Sequence, residues 1–353
     1  MLSPALPHRP HGRLRAPAAL MLALATLLLA LPPKTEAQTA DEGWQARLRT
    51  QIERLDADTP GDLGVYVKRL DNGEAYGHGA DRRWYLASTV KVLIAIAVLQ
   101  QVDAGRLKLD AQVALQDSDR IDVGKLVWEK TGTRHRVDAL VQRMLRDSDN
   151  TAANMLIRTL GGEVPLNDSA AAAIDAELHP DARKLSNAQL VQVAAAPIGP
   201  QRVAALQRAL KVQASALTLR DFDEAYKRYY RHQNNSATLE GYGAMLEKLV
   251  RGELLKPASL QRLNDGMKLG IYTNYRLQAG LPRGVDFIHK TGTQHQRACH
   301  AGVIRPQNQG AQGVVVVACT AELDEQKAAG PVLQRVGQAV TQALLQPAQG
   351  AAR

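Results

Sequence analysis

Hydrophobic positions along this 353-residue chain change their spacing several times, and each change predicts an element. Asp41 to Asp58 has the pattern of an amphipathic helix, ended by Thr59-Pro60-Gly61. Leu63 to Leu70 reads as a strand, and Asp71-Asn72-Gly73 as the hairpin turn into Glu74 to Gly79, since Asn-Gly tolerates the positive φ of tight β turns. Ser88 opens a run in which Val90, Val92, Leu93, Ile94, Ile96, Val98 and Leu99 leave almost no polar face before Gly105. A helix apolar all round is buried all round, which predicts a central position. Helical patterns then dominate to about residue 255, with Ser236 or Asn235 expected to cap the helix through Leu249. Val285 to His289, Cys299 to Ile304 and Gly313 to Thr320 read as three strands. A last helix starts at Gly330-Pro331 and repeats Val332, Val336, Val340 and Leu344 on one face.

Strands at both ends with helices between them predict a discontinuous α/β fold of the α+β type. About 41–84 and 255–349 would form an antiparallel sheet flanked by the terminal helices, and about 85–254 an inserted all-α lobe. No internal repeat interrupts this layout. If Arg305 to Gln312 is a hairpin loop, Ile304 faces Val314, and the same register sets Cys299 opposite Cys319. In an oxidising compartment a cross-strand disulfide is then expected; two buried thiols acting as small apolar residues are the alternative.

Arg9, Arg13 and Arg15 precede a 14-residue apolar run, Ala18 to Leu31, and Thr35-Glu36-Ala37 offers a cleavage site. Residues 1–37 are expected to be a signal peptide, because a span needs about 20 apolar residues. A retained membrane anchor is the alternative. No Cys lies near the cleavage site, so no lipid anchor is expected. Removing 1–37 takes four of the 44 basic residues and one of the 35 acidic ones, which leaves a mature net charge of +6. Such a chain suits the periplasm or secretion, without a membrane span and without nucleic acid as partner.

Three motifs carry the candidate chemistry: Ser88-Thr89-Val90-Lys91, Ser148-Asp149-Asn150 and Lys290-Thr291-Gly292. A serine hydroxyl needs a base to become a nucleophile. On a helix Lys91 shares a face with Ser88, and burial or nearby cations leave part of a lysine as neutral amine. Blandly, Ser88 is a helix cap beside a surface Lys, and Ser148-Asp149-Asn150 a turn with a cap. The tetrapeptide Lys-Thr-Gly-Thr occurs twice, at 130–133 and at 290–293. The first sits between helical stretches. The second directly follows a strand, where backbone N–H groups are on offer, and it is the one assigned to the site.

The motifs in this order resemble class A β-lactamases and related penicillin-recognising serine enzymes. Val98 to Gly105, Thr151-Ala152-Ala153-Asn154 and Arg251 to Leu255 look like family segments as well, and Ser148 follows Ser88 by the family's sixty residues. The resemblance implies an α/β lobe with an all-α lobe and a serine hydrolase that opens β-lactam rings through acyl-Ser88. In it Lys91 and Ser148 shuttle protons, and Ser148 serves the leaving amide nitrogen. Asn150 binds the substrate amide, and the N–H groups of Ser88 and Thr293 form the oxyanion hole. Lys290, Thr291, Thr293 and Arg276 hold the substrate carboxylate, unless Arg276 is a solvated loop residue. No cofactor and no metal are implied. The partner is a small β-lactam or a peptidoglycan peptide, and the chain is expected to be a monomer. A D,D-peptidase, or a non-catalytic envelope-binding module on the same fold, are the other readings.

The chain departs from the family in two places. The family's water-activating Glu lies about 34 residues after the Asn of the second motif. Position 184 here is Lys, within Asp181 to Asn187. The formal match Glu163-Val164-Pro165-Leu166-Asn167 comes only 13 residues after Asn150 and serves only if a family helix is deleted. Slow hydrolysis of the acyl-enzyme is therefore expected. The stretch from Asn150 to Lys290 is also longer by about 38 residues. The surplus falls within Gln189 to Gln233, where Gln201 to Val212 is helical and Phe222 to His232 is aromatic and basic, with Tyr226, Tyr229 and Tyr230. That segment is an added helical pair, a lid or a peptidoglycan-contacting wall; the sequence leaves the three open. His289, His295 and His300 share a hairpin without metal-ligand spacing.

Overall fold

The computed structural model describes residues 43–121, 124–162, 170–268 and 275–345; residues 1–37 and Glu163 lie outside them. Helix α1 (Trp44–Ala57) turns Trp44, Leu48, Ile52 and Leu55 onto one buried stripe. The hairpin of β1 (Asp62–Arg69) and β2 (Ala75–His78) follows. At the far end of the chain come β7 (Phe287–Gln294), β8 (Arg297–Ile304), β9 (Val314–Ala321) and a C-terminal helix, Ala329–Val340. These five strands form one sheet in the order β2-β1-β9-β8-β7, every neighbour antiparallel.

Strand β9 is buried along its whole length, which is why it reads as an unbroken apolar run. Val315, Val317 and Cys319 face the helical half. Val314, Val316 and Ala318 pack on the other face with α1 and the C-terminal helix. Ile304 pairs with Val314 and Cys299 with Cys319, and the two sulfurs are bonded across a Cα–Cα distance of 4.1 Å.

Between the two sheet segments lie α2 (Lys91–Asp103), α3 (Val137–Arg146), α4 (Asn150–Thr159), α5 (Ala170–Leu178) and α6 (Asn187–Ala195). They are followed by α7 (Pro200–Leu210), α8 (Phe222–Arg231), α9 (Leu239–Val250) and α10 (Pro257–Lys268). No helix among the described residues is long and apolar enough to cross a membrane.

Four sequence expectations need correction. The middle of the chain is not purely helical: β3 (Arg83–Tyr85) pairs with β6 (Ser236–Thr238), and β4 (Gln112–Ala114) with β5 (Arg134–Arg136). These ladders satisfy backbone groups of segments too short to be helices. Helix α9 is capped not by Asn235 or Ser236 but by Thr238, the residue just before its first turn, whose hydroxyl accepts from Gly241 N–H. Helix α2 is not buried all round: Leu93 is 39% exposed. Strand β7 does not stop at His289 but runs on through Gln294, so the Lys-Thr-Gly-Thr motif lies inside it.

Candidate active site

Strand β3 delivers Ser88 on a single 3-10 turn, Ala87–Val90, from which α2 continues. Ala87 sits at φ 48°, a left-handed conformation that costs a non-glycine residue about 1–3 kcal/mol. The surroundings hold it there. Thr89 Oγ1 donates to Leu86 O at 2.7 Å, Tyr242 Oη to Thr89 O at 2.8 Å, and Asn235 Nδ2 to Ala87 O at 3.1 Å.

Ser148 occupies a second left-handed position, φ 57°, between α3 and α4. The next residue explains why the break is sharp. Asp149 is 1% exposed, caps α4 by accepting from Ala152 N–H at 2.9 Å, and binds the N–H groups of Lys125 and Leu126 at 2.9 and 3.1 Å. A Cβ on Gly124 would strike that carboxylate, so the 124–126 loop fits only with glycine there.

The third motif arrives on β7, an edge strand of the sheet. A Cβ on Gly292 would collide with Leu86 O and sit 3.0 Å from Ser88 N, so glycine lets the strand press against the Ser88 turn. Behind the strand Arg276, 2% exposed, donates to Gly292 O at 2.8 Å, Cys299 O at 3.1 Å and Thr293 Oγ1 at 2.9 Å. It is therefore not a solvated loop residue.

These three pieces converge. Lys91 Nζ donates to Ser88 Oγ at 2.7 Å, to Ser148 Oγ at 3.3 Å and to Asn150 Oδ1. Lys290 Nζ reaches the same Ser148 Oγ at 3.0 Å and Thr291 O at 3.0 Å. Ser148 thus stands between two lysine amines. Ser88, Lys91, Ser148, Asn150, Thr291 and Thr293 all line a cavity of about 870 Å³. Lys290 and Arg276 are not among the lining residues but bond two that are, Ser148 and Thr293.

Three basic side chains are buried at this site. Lys91, Lys290 and Arg276 are 3%, 4% and 2% exposed. Burial first, then the charges of Lys91 and Arg276, push the Lys290 ammonium well below the usual lysine range. On the opposite face of β7, His289 and His300 form a buried pair with Nδ1 and Nε2 2.9 Å apart. His300 Nδ1 accepts from Leu277 N–H at 3.2 Å, so its Nε2 carries the proton toward His289. Burial, and then Lys290, hold His289 down to about 4. Among the described residues no group of three His, Cys, Asp or Glu is placed to hold a metal.

Other sequence candidates lie elsewhere. The first Lys-Thr-Gly-Thr copy is a loop: Thr131 Oγ1 donates to Asp117 at 2.5 Å and accepts from Arg120 at 2.9 Å. Lys184 has a side chain 78% exposed and pairs with Asp181 at 2.6 Å, outside the cavity. The sequence reading missed several cavity residues: Asn235 from β6's approach, Asp175 from α5, Arg202 from α7. It named Tyr226 without a place, and Tyr226 also lines the cavity. Only the aromatic pattern of 222–232 hinted at them, since nothing local says which way those helices face.

Comparison with known proteins agrees with this geometry. Residues 47–344 match the family described as the beta-lactamase enzyme family. The β-lactamase L2 of Stenotrophomonas maltophilia is 26% identical over 321 residues, which span 91% of this chain and 93% of that protein. An ancestral (GNCA) class A β-lactamase superposes with a TM-score of 0.62 at 26% identity, over 84% of this chain and 99% of that one. A mutant of PBP-A, solved as its acyl-enzyme complex with penicillin G, has the same fold, with a TM-score of 0.60 at 24% identity over 84% and 96% of the two chains. A family match over most of the length, on a fold that gathers Ser88, Lys91 and Ser148, makes this chain a member of the β-lactamase enzyme family and a serine β-lactamase-like hydrolase.

Proposed function

We propose that the protein is an exported serine hydrolase that opens β-lactam rings through an acyl-Ser88 intermediate and deacylates slowly. The observation that carries this is the 2.7 Å contact from Lys91 Nζ to Ser88 Oγ, with Ser148 Oγ within reach of both lysines. Lys91 in its neutral form takes the Ser88 proton, and Oγ attacks the lactam carbonyl. The oxyanion faces the N–H groups of Ser88 and Thr293. As the C–N bond breaks, Ser148 protonates the leaving nitrogen and regains a proton from Lys91.

The substrate carboxylate meets the positive charge of the Lys290 and Arg276 side of the site. Arg276 donates to Thr293 Oγ1, which leaves the Thr293 hydroxyl proton to donate into the cavity beside Thr291. Arg276 is thus a positioning residue, with Thr293 making the contact. Asn150 takes the amide of the acyl side. Residues 1–37 serve as the signal peptide, and the mature enzyme works in the periplasm or outside the cell, where β-lactam hydrolysis confers resistance.

Slow deacylation rests on the count along the sequence, which reaches Lys184 and not a carboxylate where the family's base, worth about 10²–10⁴-fold in rate, is expected, and on that side chain being solvated outside the cavity. Labelled penicillin should mark Ser88 in a burst followed by slow turnover, and Glu163→Gln should leave that turnover nearly unchanged. Folded protein that never forms the adduct sinks the proposal. Turnover abolished in Glu163→Gln with acylation intact would make Glu163 the base.

The same solvated Lys184 favours a second reading, a D,D-peptidase using the same acylation groups. A long-lived penicillin adduct together with release of D-Ala from a peptidoglycan peptide would select it. The Ser88–Lys91 hydrogen bond argues against a non-catalytic module.

A further inference from the structure

Asn234-Asn235 closes the segment between α8 and β6. Asn235 sits at φ 50°, a left-handed conformation that asparagine tolerates better than most residues. Its carbonyl extends the β3–β6 ladder one step beyond the Tyr85–Ser236 pair, accepting from Leu86 N–H at 2.8 Å. Its side chain takes the next peptide along: Nδ2 donates to Ala87 O at 3.1 Å. The amide's Oδ1 is buried without a hydrogen-bond partner among the described residues. One asparagine thus holds Leu86 through its backbone and Ala87 through its side chain, immediately before Ser88.

The bond to Ala87 O matters because that oxygen and the nitrogen of Ser88 belong to one planar peptide unit. In a trans unit C=O and N–H point opposite ways, so a donor held on Ala87 O fixes the plane along which Ser88 N–H projects. It also draws electron density toward the oxygen and makes that N–H a stronger donor, a cooperative gain of about 10–30% per bond. Strand β7 approaches the same unit at its nitrogen, where a Cβ on Gly292 would sit 3.0 Å from Ser88 N. The other two bonds that hold the turn act on different peptide units. Thr89 Oγ1 donates to Leu86 O and Tyr242 Oη to Thr89 O, so neither polarises Ser88 N–H directly.

We propose that Asn235 is a positioning residue for the oxyanion hole: through Ala87 O it aims and polarises the N–H of Ser88. It acts through the peptide and takes no part in the bonds made or broken. The inference rests on the reading of Ser88 as the acylated residue and of its N–H as an oxyanion donor.

Two variants remove the donor in different ways. Asn235→Gly keeps the left-handed backbone and its carbonyl and deletes only the amide. Asn235→Asp keeps the shape and offers a carboxylate, which cannot donate. Tyr242→Phe is the comparison, because it loosens the same turn and leaves the Ala87–Ser88 unit alone. In the free proteins the Ser88 amide proton resonance should move upfield in both Asn235 variants and hold its place in Tyr242→Phe. In the penicillin acyl-enzymes the ester carbonyl infrared band should rise in frequency in both Asn235 variants, since weaker donors polarise the carbonyl less, and again hold in Tyr242→Phe. Acylation should slow roughly tenfold in Asn235→Gly, less than the 10²–10³-fold or so that losing a whole oxyanion donor costs. An amide resonance and ester band that stay put in the Asn235 variants, or that move equally in Tyr242→Phe, overturn the proposal. A displaced amide resonance without any Ser88 adduct would uphold Asn235's hold on the peptide and reject acyl-Ser88.

Discussion

The tetrapeptide Lys-Thr-Gly-Thr occurs at 130–133 and again at 290–293, and the two copies live in different physical worlds. The first is a surface loop ahead of β5. Lys130 is exposed, Thr133 Oγ1 donates to Lys130 O at 2.6 Å, and a Cβ on Gly132 would meet nothing within 4 Å. The second is on an edge strand pressed against the Ser88 turn, with Lys290 4% exposed and Thr293 held by Arg276. Water solvates one ammonium; the other is stripped of water and set beside two more cations. Identical residues therefore carry different chemistry, because desolvation and neighbours, not the side chain alone, set a lysine's proton affinity.

The sharpest way to break this contrast is a paired substitution. Lys290→Ala should slow acylation by roughly 10²–10³-fold, the usual cost of removing a group aimed at developing charge. Lys130→Ala should change it by less than about twofold. Stopped-flow acylation with a chromogenic cephalosporin reads both, and equal losses would dissolve the distinction.

A second difference lies beneath the β7 copy, where burial keeps His289 at about 4 and pushes His300 well below the usual histidine range. Both folded values lie below the unfolded reference near 6.5, so the unfolded chain binds more protons between them and stability falls as pH drops through that window. For His289 alone the loss between pH 6.5 and 4 is on the order of 3 kcal/mol. Urea midpoints at pH 7 and pH 5 should show the decline, and His289→Gln should flatten it. An unchanged slope in that variant would assign the acid sensitivity to other groups.

The smallest effect separates the two glycines. Gly292→Ala drives a methyl into Leu86 O and toward Ser88 N, which should cost about 2 kcal/mol of stability and slow acylation as the strand backs away. Gly132→Ala has open space, and its φ of 89° should cost only about 1 kcal/mol with acylation untouched. Thermal melts beside acylation rates decide; a rate loss at Gly132 would mean that the surface loop bears on the site after all.

Much of this was legible before any coordinates. The register between β8 and β9 follows from one hairpin loop, so Ile304–Val314 carries Cys299–Cys319 with it. Motif order and spacing singled out Ser88, Lys91, Ser148 and Lys290, because each motif is a local device: a helix start, a capped turn, a strand edge. Turn chemistry and side-chain periodicity act over a few residues and can be read from them.

What the tertiary structure alone decided is which surfaces meet. Arg276 looked like a carboxylate ligand and lies behind β7, orienting Thr293. Lys184 falls at the family's Glu position by counting, and only the structure shows that its side chain is solvated outside the cavity. The surplus within Gln189 to Gln233 could have been an added helical pair, a lid or a peptidoglycan-contacting wall; in the structure its Ala194, Ile198, Arg202 and Tyr226 line the Ser88 cavity. Such contacts join residues far apart in sequence. They are selected by the burial of whole helix faces, a sum over many small packing terms that no short stretch of sequence contains.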